Sequence, residues 1–303
     1  MRILLTGSNG QLGYYLQKSL KRDGHDLLLT DGQSMDITNL NKTYTTITRL
    51  NPEIVIHAAA YTNVDQCEAF PDEAFRVNVL GTRNIAVTCN AIKAKLIYIS
   101  TDFVFDGEKA EPYTEFDVPN PLNIYGKTKL AGEEYVKSLL NQYFIIRTSW
   151  LYGFQGENFV NTIAGIARAK GKLEVVDDQT GSPTFAGDLA DVVSKLVNTD
   201  YYGTYHCSNE GACTWFEFAE KILELAGINL VEIKPISTQQ LNRPAPRPKY
   251  SVLKNYMLEL QNMQKMPYWQ DALKGFLDGG VKCERDNPCR RNRVATLSSN
   301  KSN

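Results

Sequence analysis

The sequence predicts an α/β fold, a doubly wound parallel sheet followed by a smaller C-terminal region. Three observations predict it. The short apolar run Ile3-Leu4-Leu5-Thr6 closes on Gly7-Ser8-Asn9-Gly10-Gln11-Leu12-Gly13 and opens into a segment with Leu12, Leu16 and Leu20 at helical spacing. Short apolar runs then alternate with helical segments over the first half of the chain, as expected for parallel strands with helices on both faces. Past about residue 206 this alternation gives way to a capped helix, a short strand and a proline-rich loop.

Composition bounds the function. The chain has 303 residues, enough for one large or two modest domains, and 43% of them are hydrophobic, enough for a substantial core. A formal net charge of −1 argues against nucleic acid or an anionic membrane as partner. No apolar run is long enough to span a bilayer, and the chain enters a strand at once without a signal-peptide pattern. Six scattered cysteines with no C-x-x-C spacing read as reduced thiols, so a cytoplasmic location is expected.

The first turn carries the first site. Its glycines, spaced G-x-x-G-x-x-G, let the backbone approach a pyrophosphate, and the helix that follows offers free N–H groups to phosphate oxygens. Gly7, Asn9, Gly10, Gln11 and Leu12 are therefore cofactor-binding candidates, and the sheet is read as Rossmann-type. The second strand, 26–30, ends at Asp31, placed to accept hydrogen bonds from the adenosine ribose; its charge opposes a 2′-phosphate and favours NADH, although Asp31-Gly32 also fits a plain turn. Asp36 is a second acidic candidate on this edge, or the cap of a helix following Thr38. The buried strand 53–57 runs into Ala58-Ala59-Ala60, small residues that make a flat wall beside a cofactor. His57 lacks the spacing of a metal ligand and reads as a satisfied strand-end histidine. Residues 61–68 read as a polar loop facing substrate, and Asn78 as a helix position that can reach back to the sheet.

Residues 95–102 form the strand expected to carry chemistry, because it ends in Ser100, Thr101 and Asp102, where a doubly wound sheet places its ligands. Ser100 and Thr101 stand at the level of a substrate carbonyl. After a proline-rich loop comes Tyr125-Gly126-Lys127-Thr128-Lys129 at the start of a helix. Tyr125 and Lys129, four apart, share a helix face, and an ammonium nearby favours the phenolate, which suits a tyrosine that gives its proton to a reduced carbonyl. Strand 143–149 ends at Trp150, whose ring can stack on a sugar or base, or lid the core. Helix 158–170, strand 173–179 and a turn at 181–184 follow, with Thr184 expected to cap helix 188–197, then a strand at 203–207 that rejoins the sheet. Thr214 and Glu217 form a capping box for helix 214–226, a short strand lies at 231–236, and a last helix is expected at 269–277. Arg243 and Arg247, stiffened by Pro244, Pro246 and Pro248, suit a diphosphate or form a solvated basic loop.

The motifs Thr6–Gly13, Ala58–Ala60 with Val64-Asp65, Ser100–Gly107, Pro121–Glu133, Arg147–Trp150, Asp178–Thr184 and Arg247-Pro248 together resemble the extended short-chain dehydrogenase/reductase family, and within it the reductases of dTDP-4-dehydro-L-rhamnose, over about residues 1–280. The resemblance implies a catalytic Thr101, Tyr125 and Lys129: Tyr125 as proton donor, Lys129 acidifying it and holding the nicotinamide ribose, Thr101 on the C4 oxygen. It implies Asp102, Phe103, Trp150 and Arg247 on the substrate side, with Arg247 at the diphosphate. The implied reaction is hydride transfer from NADPH or NADH to the 4-keto group of that nucleotide-sugar, giving dTDP-L-rhamnose for surface polysaccharide. Phe103 departs from the tyrosine that many members carry. Tyr14-Tyr15 and Gly279-Gly280 stand where some members place Mg²⁺-binding glutamates at a dimer interface, so no metal is expected and a homodimer is left open. Two alternatives accompany this reading: a reductase or epimerase on another nucleotide-linked 4-keto sugar, and a non-catalytic NADP-binding subunit like the regulatory β subunit of methionine adenosyltransferase. The expected organisation is a dinucleotide-binding unit of residues 1–149 with about 170–206, a substrate-binding region of about 150–169 and 207–280, and a disordered tail at 281–303.

Overall fold

The computed structural model describes residues 1–286. Its centre is a sheet of six parallel strands: β1 (Arg2–Thr6), β2 (Asp26–Thr30), β3 (Ile54–His57), β4 (Lys95–Thr101), β5 (Tyr143–Thr148) and β6 (Gly203–His206), in the order β2-β1-β3-β4-β5-β6. The chain leaves β1 for the edge at β2, then crosses to β3 on the other side. That reversal opens a crevice at the carboxyl ends of β1 and β3.

The strands are apolar on both faces because helices cover both. Ile3, Leu5, Ile54, Ile56, Phe144 and Ile146 pack with the Gln11–Arg22 and Ala186–Leu196 helices, whereas Leu4, Val55, Leu96, Tyr98 and Ile145 face the Leu40–Leu50, Thr82–Ile92 and Ile124–Leu139 helices. Alternate residues of one strand thus serve opposite cores, the two-residue period of an extended chain.

A second, aromatic-rich core lies beyond β5. There the strand Lys172–Val176 pairs in parallel with Glu232–Ile236, under the helices Phe159–Lys170, Trp215–Leu225 and Trp269–Asp286. This shifts one expected boundary. Residues 172–176, assigned by sequence to the dinucleotide-binding unit, pack in the second core, and the chain returns to the first with the Ala186–Leu196 helix and β6.

Other expectations are corrected locally. Thr184 does not cap the following helix: it lies in a two-residue strand against Leu151–Tyr152, and the cap position is Phe185. The Leu40–Leu50 helix is capped by Asn39, while Asp36 closes a tight turn on Thr38. Residues 64–69 are helix rather than loop. The capping box of Thr214 and Glu217 is present. The last helix, expected to stop at 277, runs as Trp269–Asp286 and occupies the start of the stretch expected to be disordered; the remainder of that expectation, 287–303, lies outside the described residues. Among the described residues no helix is long and apolar enough to cross a membrane.

Candidate active site

A cleft of about 850 Å³ runs along the carboxyl ends of β1, β3 and β4, from Asp31 and Asp36 at one end to Trp150 and Trp215 at the other. Its first half is made of backbone. Gly7 has φ +68°, and a Cβ there would lie 2.8 Å from Ala59 N. A Cβ on Gly13 would lie 2.4 Å from Gly7 O. Side chains would fill this cradle, and their absence lets the turn fold against Ala58 and Ala59. The helix beyond starts at Gly10 with no side chain capping it, so its first N–H groups face the cleft, as a pyrophosphate requires. Gln11, Leu12 and Ala60 line the same wall. This half fits a dinucleotide.

Asp31 also lines it, but its carboxylate is already engaged. Oδ2 accepts from Asn9 Nδ2 at 2.6 Å, and Oδ1 accepts from Gln33 N, Ser34 N and Ser34 Oγ. Those bonds, Ser34 foremost, hold it below the usual carboxylate range, and the turn at Thr38 does the same for Asp36. His57 is buried between Thr6 Oγ1 at 2.8 Å and Thr82 Oγ1 at 3.2 Å, and burial drives it down to about 3.

The other half is made of side chains. Asn123 caps the Ile124–Leu139 helix by accepting from Gly126 N at 2.8 Å, and Gly126 is forced by the backbone of Phe103, 2.1 Å from where its Cβ would be. The helix start is thereby pressed onto the end of β4, which brings Tyr125 and Lys129 into one cleft with Thr101, Asp102 and Phe103. Phe103 meets the Tyr125 ring edge-on, with centroids 6.0 Å apart. Asn78, 1% exposed, ties this helix to the wall: it bonds Tyr61 N and O and Thr128 Oγ1.

Burial sets the electrostatics of this end. Tyr125 is pushed above its ordinary value by burial; a hydrogen bond with Thr101 pulls it back, and Asp102 and Cys67 raise it further. Lys129 is held beneath it by other partners. Its Nζ donates to Ile99 O at 2.6 Å and sits 4.1 Å from the Tyr98 ring centroid, and burial lowers Lys129 to about 7, opposed by Glu133. A raised phenol remains protonated at neutrality, the form an acid needs.

Ser100 is not available to a substrate. Its hydroxyl donates to Glu133 Oε1 at 2.6 Å, and Glu133 is gripped by Arg147 through Nε at 2.9 Å and Nη2 at 2.6 Å, all of them buried. This salt bridge fixes β4, β5 and the helix carrying Tyr125 to each other. Arg247 is not brought to the cleft wall either: it donates to Asp65 at 3.0 Å and to Ala245 O at 2.9 Å, while Arg243 takes the other Asp65 oxygen at 3.1 Å. The loop instead reaches the helix that carries Tyr125 through Asn123 Nδ2, which donates to Pro246 O at 2.8 Å.

Trp150 does reach the cleft, with a partner the sequence reading missed. It lies flat on Trp215, 3.5 Å between centroids and 7° between planes, with its backbone at φ +46°. Gly181 makes room for it: a Cβ there would lie 2.4 Å from the indole. Among the described residues no three His, Cys, Asp or Glu side chains converge as metal ligands. Cys67, Cys89, Cys207 and Cys213 are buried and unpaired.

A phenol, a hydroxyl and a lysine gathered beside a glycine turn shaped for a pyrophosphate define an oxidoreductase of the short-chain dehydrogenase/reductase class. More narrowly, the chain belongs to the family of the RmlD substrate binding domain, whose model it matches over residues 1–281. It is 39% identical over 288 residues to the spore coat polysaccharide biosynthesis protein SpsK of Bacillus subtilis, covering 95% of this chain and 99% of that one. It is also similar to two solved structures of dTDP-4-dehydrorhamnose reductases, each at 46% identity and TM-score 0.90. That of Clostridium acetobutylicum covers 93% of this chain and 100% of its own. That of Bacillus anthracis, in complex with NADP, covers 92% and 99%.

Proposed function

We propose that the protein reduces the 4-keto group of dTDP-4-dehydro-L-rhamnose with NADPH or NADH, giving dTDP-L-rhamnose. The observation that carries this reading is the meeting of Tyr125 and Thr101 at the far end of a cleft whose near end is a dinucleotide cradle. The reduced nicotinamide supplies hydride to C4. Tyr125 supplies the proton to the C4 oxygen, Thr101 orients that oxygen, and Lys129 serves the ribose from its place on Ile99 O. The stacked pair Trp150 and Trp215 offers a flat face to the sugar or base. Asp31 keeps its charge at this end of the cleft, while its oxygens are already taken by Asn9, Gln33 and Ser34, so neither cofactor is singled out.

The buried, unpaired thiols support a reducing compartment, the cytoplasm. A homodimer belongs to the same reading, supported by the exposed Phe70, Phe75 and Leu80 beside the catalytic helix, and sedimentation tests it.

Mixing the protein with dTDP-4-dehydro-L-rhamnose and NADPH tests the reaction. The reading requires NADPH absorbance to fall in step with formation of dTDP-L-rhamnose. An epimerase would return its hydride and leave the absorbance unchanged, and a regulatory subunit would bind NADP without turnover.

A further inference from the structure

With the pyrophosphate on the glycine turn and the ribose at Asp31, the base of a dinucleotide falls at the Asp36 end of the cleft. We propose that the Arg76 guanidinium lies flat on the adenine there and closes that end. This rests on dinucleotide binding alone, whichever sugar is reduced.

The wall that carries Arg76 is built around a glycine. Residues Phe75–Gly81 form a stretch of π-helix, a rare form found mostly at functional sites. A Cβ on Gly81 would lie 2.8 Å from Ile37 Cδ1, so the helix is pressed onto the loop of Met35, Asp36 and Ile37. Asn84 fastens the same loop, donating through Nδ2 to Ile37 O at 2.9 Å and to Thr38 O at 3.3 Å. Arg76 and Val77 come one turn before Gly81, on the side that meets Ile37, and both line the cleft. Val77 packs with Met35 and Ile37 in one apolar cluster. These three give the end of the cleft an apolar floor, which suits a flat base.

Arg76 stands at the rim of that floor. Its side chain is 58% exposed, and Glu73 holds one edge of it: Nε donates to Glu73 Oε2 at 2.9 Å, and Nη2 donates to the same oxygen. Two bonds along one edge fix the plane of the guanidinium and leave a face open. An arginine laid on a nucleobase gains stacking and cation–π energy together.

Charge points to the base rather than to a 2′-phosphate. Among the described residues two cations line the cleft, Arg76 and Lys129, and Lys129 belongs to the Tyr125 end. Asp31, Asp36 and Glu73 line the Arg76 end. A dianion there would meet three carboxylates and one guanidinium already shared with Glu73, whereas adenine is neutral and loses nothing to them. Were Arg76 and Glu73 only an exposed i,i+3 pair, Arg76 would have no effect on cofactor affinity.

Titration of NADPH and NADH by their fluorescence, and of ADP by displacement of NADPH, tests this in the wild type, Arg76→Ala and Arg76→Lys. Arg76→Ala is expected to weaken all three by one common factor, about 3- to 10-fold. Arg76→Lys keeps the charge and loses the plane, and is expected to weaken all three as well. A loss confined to NADPH, restored by Arg76→Lys, overturns the proposal in favour of a 2′-phosphate contact. Wild-type affinities in Arg76→Ala, beside a wild type that binds both dinucleotides, overturn this proposal alone. A wild type that binds neither dinucleotide overturns the cofactor site itself, and the adenine contact with it.

Discussion

The two ends of the cleft are built from different materials. At the dinucleotide end the working groups are backbone: a turn at Gly7 with φ +68°, an uncapped helix start, and alanines that leave the chain bare. At the chemical end they are buried side chains: burial raises Tyr125 against a hydrogen bond with Thr101 and lowers Lys129 against the charge of Glu133, while the pair of Glu133 and Arg147 holds Ser100. A backbone site tolerates changes of charge and fails when atoms are added. A side-chain site tolerates small changes of shape and fails when a proton or a counter-ion is lost.

The comparison can be broken most sharply at Tyr125. Tyr125→Phe is expected to lose about 10²-fold or more in kcat with little change in dinucleotide affinity, checked by steady-state rates beside fluorescence titration of NADPH. Equal losses in both would erase the distinction between the two ends. Next in size is Arg147→Met. Removing one partner of a buried, doubly hydrogen-bonded pair is expected to cost about 3–5 kcal/mol, read from urea unfolding. A cost under about 1 kcal/mol would mean that the network does not hold the helix carrying Tyr125.

Asp102→Asn bears on stability. The folded value of about 6 lies above the ordinary 3.8, so the stabilisation from holding the proton is complete below about pH 4 and lost as pH rises through about 6. Above that range ionisation costs on the order of 2–3 kcal/mol. The variant should therefore melt higher than the wild type at about pH 8, with the advantage shrinking toward about pH 4, and calorimetry across that range checks it. The smallest effect belongs to the backbone end. Gly7→Ala adds a Cβ at φ +68° and 2.8 Å from Ala59 N; strain of about 1–2 kcal/mol should weaken NADPH binding several-fold while kcat at saturation stays near wild type.

The same contrast explains what was legible in the sequence. The glycine turn, the strand ending in Ser100, Thr101 and Asp102, and the spacing of Tyr125 and Lys129 are local, and local spacing is what a sequence displays. Lys129 was placed in the right cleft; what spacing does not display is the burial that lowers Lys129 and raises Tyr125. Ser100 was offered to the substrate because Glu133 and Arg147 are far along the chain. Arg247 looked free because Asp65, its partner, lies 182 residues away. Trp215 carried no signal of its own: only the fold lays it on Trp150, over the gap left by Gly181. Thr184 had the right side chain for a cap but was already drawn into pairing with Leu151.

The account turns on direct hydride delivery to C4 with Tyr125 as the acid. Incubating the protein with dTDP-4-dehydro-L-rhamnose and NADPH deuterated at the transferring position, then reading the sugar by mass spectrometry and proton NMR, addresses that most directly. One deuterium at C4 of dTDP-L-rhamnose for each NADPH consumed, accumulating about 10²-fold more slowly in Tyr125→Phe, is the predicted result. Deuterium absent from the sugar, or cofactor unspent while the sugar changes configuration, would contradict it.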